Sequence, residues 1–358
     1  MSLDRRQFVF GATAAGLAAR SAPAAAQGAA SRCATAAIPY GAAIRVNMLD
    51  EDPAYRRAVI EHCRIVVSEG HTKWIDLRPE PGKFSFERAD KLLAFADEHG
   101  MAMRGHTLVW YAAMPKWTEQ IKTANEAERA LYEHIDTVLA HYKGRIRSWD
   151  VANEPISDDP TVEPAMRKSL WQGLLGTRHI EMALRRTAAA DPDVQLVLNE
   201  FGFENPTPQC RAKRAAFLQL VKDLKDRDVP LHAIGLQGHL PGQHEIDKEG
   251  MSKFVAELHA MGLSILVTEL DVIDDKLPGD RAIRDEIVAE RTQSFLQSIG
   301  DVCRPEAVVT WGITDQATWV PIWFKRKDGQ PNRPLPLDAS YRPKPMMRVI
   351  REFTRARS

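Results

Sequence analysis

From residue 38 to the C-terminus, short apolar runs alternate without interruption with stretches of helical period. The runs that read as strands are 38–43, 65–67, 101–105, 148–151, 195–198, 233–236, 264–268 and 308–311. Between them lie amphipathic segments. Ala89, Leu92, Leu93 and Ala96 follow the i, i+3, i+4, i+7 spacing and stop at Gly100, and Met251, Phe254, Val255 and Leu258 repeat it before Gly262. A continuously apolar strand must be covered on both faces, so strands of this kind separated by amphipathic helices imply a parallel sheet with helices packed against it. Eight such units predict closure into an α/β (β/α)8 barrel, a single domain over 31–358. A chain of 358 residues has room for two domains, but its 22 prolines are dispersed and no repeat or low-complexity tract marks a linker.

The charges exclude some functions. Lys and Arg number 48, Asp and Glu 48, so no positive surplus exists for a phosphate backbone or an anionic membrane surface. No nucleic-acid partner is expected. The four cysteines, at 33, 63, 210 and 303, form no CxxC motif, and no structural zinc is expected. Residues 1–30 read as a leader. Arg5-Arg6 precede a mildly apolar stretch from Phe8 to Ala19, and Ala24-Ala25-Ala26 offers small residues for a signal peptidase. The stretch falls short of the about 20 residues a membrane span needs, so no membrane anchor is expected. It resembles a twin-arginine export signal, which implies a periplasmic or secreted product.

In a βα barrel the chemistry sits where the strands end. The residues there are Glu69, His106, Asn153 with Glu154, Asn199 with Glu200, Gln237 with His239, Glu269 with Asp271, and Trp311. Turn formers and helix caps would account for one or two of these positions, not for all seven strand ends. Carboxylates, amides, imidazoles and an indole at one mouth suit a ligand with many hydroxyls and apolar ring faces, such as a sugar chain. Glu154 and Glu269 emerge from different strands, so their surroundings can differ. Glycoside hydrolysis with retention needs one carboxylate nucleophile and one protonated acid. His239 is the candidate donor to Glu269, with Asp271 placed to hold its imidazole.

These residues also carry a family resemblance. Trp149-Asp150-Val151-Ala152-Asn153-Glu154 resembles the acid/base segment of family-10 glycoside hydrolases, the endo-β-1,4-xylanases, and Val267-Thr268-Glu269-Leu270-Asp271 their nucleophile segment. Arg104 to Trp110, Gly235 to Leu240, and Trp311 to Asp315 with Trp319 are similar to three further family stretches. The resemblance runs from about Tyr40 to Pro345 and implies the eightfold barrel as well. Carried over, it makes Glu154 the general acid/base and Glu269 the nucleophile. Asn153 binds the 2-hydroxyl at the cleavage point, and Lys73 and His106 bind other hydroxyls. Glu69 belongs to the same substrate-binding set, Gln237 and His239 serve the nucleophile side, and Trp110, Trp311 and Trp319 form aromatic walls. Trp74 is expected to pack, and His62, His99 and His259 to lie on helices away from the site. The expected substrate is xylan or a related β-1,4-linked glycan, turned over by a monomer without metal or cofactor.

Three positions depart from the family pattern. Gly70 stands where an Asn contacts the next sugar, Tyr111 where a His usually follows Trp110, and Gly202 where a second Asn usually follows Asn199-Glu200-Phe201. The changes are expected to cluster on the glycone side, leaving the reaction class intact and the glycan open: shorter oligosaccharides, a decorated xylan or another β-linked glycan. A sugar-binding or sensing protein that keeps the barrel is the alternative, although binding alone has no need of both carboxylates. A barrel acting on phosphorylated metabolites would want a Gly-rich loop after the seventh or eighth strand, and 270–277 and 312–319 lack one.

Overall fold

Strands and helices alternate in chain order as β1 (Tyr40–Ile44), α1 (Pro53–His62), β2 (Ile65–Ser68), α2 (Glu87–Glu98), β3 (Ala102–Val109), α3 (Ala124–Tyr142), β4 (Ser148–Asn153) and α4 (Arg178–Ala190). They continue as β5 (Gln195–Glu200), α5 (Pro208–Asp226), β6 (Ala233–Leu236), β7 (His239–Pro241), α6 (Lys248–Ala260), β8 (Ser264–Ile273), α7 (Arg281–Gly300), β9 (Val308–Thr310) and α8 (Pro345–Thr354). This computed structural model describes residues 36–161 and 165–356. The leader at 1–30 and Cys33 lie outside the described residues.

The sheet closes. Neighbouring strands pair in parallel from β1 to β6, β1 also pairs with β9, β9 with β8, and β8 with β6. Eight strands therefore form a (β/α)8 barrel, while β7 is a short rim strand aligned with the far end of β8, His239 opposite Asp271. All eight runs read from the sequence are barrel strands. Several continue past the predicted end: β3 reaches Val109, β4 Asn153, β5 Glu200 and β8 Ile273. His106, Asn153, Asn199, Glu269 and Asp271 thus lie within strands rather than after them. Asn199 bonds to both Asn153 and Glu269, His106 to Asp150, and Asp271 to His239 and Trp319, so the ladder runs on beyond the point where hydrophobicity stops marking it.

Local chemistry fixes the helices. Asp52 caps α1 by accepting from the amides of Ala54 and Tyr55, with Pro53 at the first turn. Thr123 and Glu126 form a capping box at the start of α3. The predicted apolar stripes face inward: Ala89, Leu92, Leu93 and Ala96 on α2 and Met251, Phe254, Val255 and Leu258 on α6 are all buried. Each of the larger side chains contributes roughly 1.5–3 kcal/mol by leaving water. Inside the barrel, Ala43, Val67, Val197, Leu266, Val309 and Trp311 belong to one apolar cluster. Gly105 is fixed by packing, because a Cβ there would lie 2.1 Å from the Trp149 ring. Among the described residues no helix is long and apolar enough to cross a membrane.

Candidate active site

At the C-terminal mouth of the barrel lies a cleft of about 850 Å³. Small-ligand sites span roughly 300–1,000 Å³, so there is room here for more than one sugar ring. Glu154 and Glu269 both face it, with Glu69, Lys73, His106, Trp110, Gln237, His239, Trp311 and Trp319 around them. Asp271, fully buried, supports the wall from behind. Asn153, 4% exposed, ties the two glutamates together.

The tie is a chain of amides. Asn199 Nδ2 donates to Asn153 Oδ1 at 2.8 Å and to Glu269 Oε1 at 2.7 Å. Gln237 Nε2 donates to Asn153 Oδ1 and to Glu154 Oε1, each at 3.1 Å, and Asn153 Nδ2 reaches Glu154 Oε1 at 3.2 Å. Asn199 is oriented by Thr268, whose hydroxyl donates to its Oδ1 at 2.7 Å. Three side chains from β4, β5 and the β6 end thereby fix both carboxylates in one frame.

Glu269 sits among cationic groups. His239 Nε2 donates to its Oε2 at 3.2 Å while Nδ1 donates to Asp271 Oδ1 at 2.9 Å. Trp319 Nε1 donates to the other oxygen of Asp271 at 2.7 Å. His106 Nδ1 lies 3.7 Å from Glu269 Oε1 and 2.9 Å from Asp150 Oδ2, and Asp150 also accepts from Arg104 at 2.7 Å. Burial by itself would raise the Glu269 pKa, but His106, His239 and Lys73 outweigh it and bring the carboxyl down to about 2. Burial works against a charged His239 as well, yet Asp271 and Glu269 raise its pKa well above the ordinary imidazole value. The result is a carboxylate held ionised by an imidazolium. The ammonium of Lys73 faces the rings of Trp110 at 4.9 Å and Trp311 at 5.3 Å, and burial lowers its pKa.

Neutral donors surround Glu154: the two amides on Oε1, and the Trp110 indole, which donates to Oε2 at 2.9 Å. Its backbone is left-handed, with φ 54°, a conformation that costs a residue other than glycine about 1–3 kcal/mol and that collects at functional sites. Two bonds hold it there. The Glu154 amide donates to the Asn199 carbonyl at 2.9 Å, and Arg167 Nε donates to the Glu154 carbonyl at 2.8 Å. Arg167 is braced in turn by Asp158 and lies over the Tyr111 ring at 4.5 Å.

Sequence reasoning missed part of this frame. Trp110 reads as a wall, but its indole also serves Glu154. A buried indole N–H needs an acceptor, and that requirement was the available signal. Asn199 appears at its strand end without its role as hub, and nothing in the sequence marks Arg167 or Asp158. Glu200 does not join the mouth: it is fully buried, accepts from the amides of Ile156 and Phe201, and pairs with Lys213 at 3.0 Å. Trp74 packs as expected, 2% exposed and stacked on His134 at 3.9 Å.

The three departures from the pattern do not cluster. Gly70 lies in the β2 loop, where a Cβ would meet only Asp76, at 3.7 Å. Tyr111 lies after β3 against Arg167. Gly202 lines the cleft from beyond β5, three strands around the barrel from β2, with φ 81° and the Lys213 stem beneath it. Loops from different strands carry them, so they do not mark a single side of the cleft.

The family model described as glycosyl hydrolase family 10 matches residues 29–353. The chain belongs to glycosyl hydrolase family 10. It is 34% identical over 309 residues to a beta-1,4-xylanase of Dictyoglomus thermophilum, covering 84% of each chain. To endo-1,4-beta-xylanase B of Thermotoga neapolitana it is 32% identical over 306 residues, 85% of this chain and 84% of that one. The crystal structure of xylanase 10B from Thermotoga petrophila in complex with xylobiose superposes with a TM-score of 0.80 at 32% identity, over 88% of this chain and 94% of that one. As a family 10 member the chain is a glycoside hydrolase.

Proposed function

We propose that this chain is a secreted, retaining endo-β-1,4-xylanase that cleaves internal xylosidic bonds by double displacement. The observation that carries the reading is the shared frame of Glu154 and Glu269: two carboxyl groups from different strands, bonded through Asn153, Asn199 and Gln237, one among cations and the other among neutral donors. In the first step Glu269 attacks the anomeric carbon as the glycosidic C–O bond breaks, and Glu154 gives its proton to the departing oxygen. A covalent glycosyl-enzyme results. In the second, Glu154 takes a proton from water, which attacks the same carbon and releases Glu269 as a carboxylate. Asn153 is the candidate donor to the 2-hydroxyl, a contact that strengthens in the transition state. Lys73 and His106 would bind other hydroxyls, and Trp311 and Trp319 offer flat faces to the ring.

The xylan assignment rests on the names of the similar proteins and on a cleft with room for several rings. Incubation with xylan and with cello-oligosaccharides tests it, the anomer of the first product being followed by NMR. Release of xylo-oligosaccharides with retained β configuration is expected. Inversion would overturn the mechanism, preference for cello-oligosaccharides the substrate, and binding without any reducing ends released would leave a sugar-binding protein instead. For export, supported by Arg5-Arg6 and the alanines at 24–26, the expected result is a periplasmic protein beginning near residue 27. Protein retained in the cytoplasm with its leader would refute it.

A further inference from the structure

After β9 the chain forms a four-residue helical turn, Val320–Trp323, whose sequence Val-Pro-Ile-Trp buries its first residue and presents its last two. Val320 is fully buried, whereas Ile322 is 70% exposed and Trp323 77%. An indole left in water forgoes most of the roughly 1.5–3 kcal/mol that burying a large apolar side chain brings. Exposed aromatics on mobile loops need no explanation, but the turn that carries this one is firmly held.

The turn is anchored at both ends. Trp319, just before it, is bonded to Asp271 in the His239–Glu269 relay. Phe324, just after it, lies edge-on to Trp319 at 5.8 Å and donates its amide to the Val320 carbonyl at 2.7 Å. The Phe324 carbonyl accepts from Asn332 at 3.1 Å, and Asn332 is fixed on Asp274 at 2.7 Å. Arg326, 5% exposed, donates to the carbonyls of Asp274 and Leu277 and pairs with Asp328. Burying a guanidinium and the Asp274 carboxylate is costly unless their bonds are made, and here they are spent on one small turn. What that turn holds out, unsupported by the rest of the fold, is the Trp323 ring.

Its position says what the ring is for. Trp323 and Phe324 line the same cleft as Glu154 and Glu269, together with Ile273 at the end of β8 and Asp275 and Lys276 beyond it. Lys276 is exposed and has no ion-pair partner among the described residues. An indole carried on an anchored backbone turn, beside polar side chains, matches a pyranose ring, which offers C–H groups on its face and hydroxyls at its edge. We infer that Trp323, with Phe324 and Lys276, forms a distal sugar subsite that stacks a ring of the bound glycan away from the cleavage point and so sets chain-length preference. The inference rests on the glycan-hydrolase reading above. A protein partner seated on Trp323 would lie across the cleft entrance, which favours the glycan as occupant.

The test compares the full chain with Trp323→Ala and Trp323→Phe on 4-nitrophenyl β-xylobioside and on xylotriose to xylohexaose. Removing the exposed ring should leave the fold and turnover of the short aryl glycoside unchanged while kcat/KM for xylohexaose falls about tenfold, which corresponds to about 1.4 kcal/mol. Trp323→Phe should recover most of the loss. Calorimetry in the Glu269→Gln background adds a readout without catalysis: Trp323→Ala should weaken xylohexaose binding about tenfold and leave xylobiose unaffected. Equal effects on short and long ligands, or none, overturn the subsite. Loss of a dimer on sedimentation with an unchanged length series also overturns it and makes the patch a contact between copies. Failure of the wild type to release reducing ends refutes the hydrolase reading instead, and the binding comparison then still decides the subsite.

Discussion

The centre of the cleft and its rim are built differently. At the centre the carboxylates and their neighbours are bonded to one another: Glu269 to Asn199 and His239, His239 to Asp271, Asp271 to Trp319, and Glu154 to Gln237, Asn153 and Trp110. At the rim, Gly70 offers no side chain, Tyr111 is 41% exposed, and Gly202 lies over a lysine stem. A network in which each group is oriented by two others tolerates little change, because removing one member leaves buried polar partners unsatisfied. A rim position has no such partners. Substitution effects should therefore fall steeply from the centre outward.

The steepest losses belong to the two glutamates, and they should differ in kind. Glu269→Gln should lower kcat on an aryl β-xylobioside by roughly 10⁴-fold or more, as expected for loss of a nucleophile. Glu154→Ala should cost about 10²–10⁴-fold on xylan, the usual range for a general acid. On an aryl glycoside with a good leaving group the same variant should show a fast first step and an accumulating intermediate, visible as a burst. Absence of that contrast would remove the division of roles, even if both variants were inactive.

His239 tests the electrostatic half of the centre. The Glu269 pKa lies at about 2 against 4.5 for a free glutamate, so its charge contributes stability above about pH 4.5 that is lost as pH falls through about 2. The His239 pKa is raised above 6.5, so its charge contributes stability that is full below about pH 6.5 and lost as pH rises through the folded value. Between these limits the pair is charged and favours the folded state. His239→Asn keeps a donor but removes the cation. The acidic limb of kcat/KM should then move upward, toward 4.5, with a loss of about 10²-fold near neutrality. An unmoved limb would mean that His106 and Lys73 alone hold the carboxylate.

This gradient also explains what could be read from the sequence. The barrel was legible because its strands are continuously apolar and its helices amphipathic, so Ile65-Val66-Val67 and the α6 stripe announce themselves. Glu154 and Glu269 were legible because short segments around them have a distinctive order. The strand ends were not, since Asn153 and Asp271 extend the ladder with polar side chains that find polar partners at the mouth, Asn199 and Gln237 for the one and His239 and Trp319 for the other. Arg167 was invisible for another reason. It acts through the main-chain carbonyl of Glu154, and a carbonyl leaves no mark on residue type. Arg167→Lys checks that contact: with one donor in place of a fork, kcat/KM should fall about tenfold while KM changes little. A pure change in KM would assign Arg167 to substrate rather than to the backbone of Glu154.

The smallest effect is expected at Gly70. A Cβ there meets nothing nearer than Asp76 Oδ2 at 3.7 Å, so Gly70→Asn should fold without strain. The resemblance places an amide at this position in contact with the sugar next to the cleavage point. Restoring it should add one hydrogen bond, about 0.5–1.5 kcal/mol, and lower KM for xylotriose by a few-fold with kcat unchanged. The competing fate of the new amide is capture by Asp76, which already accepts from His71 at 2.8 Å. Gly70→Asn with Asp76→Ala separates the two, because only capture predicts a gain that appears in the double variant alone. If neither variant lowers KM, the β2 loop does not reach the glycan, and selectivity at the rim must come from the loops after β5 and β9 that carry Gly202 and Trp323.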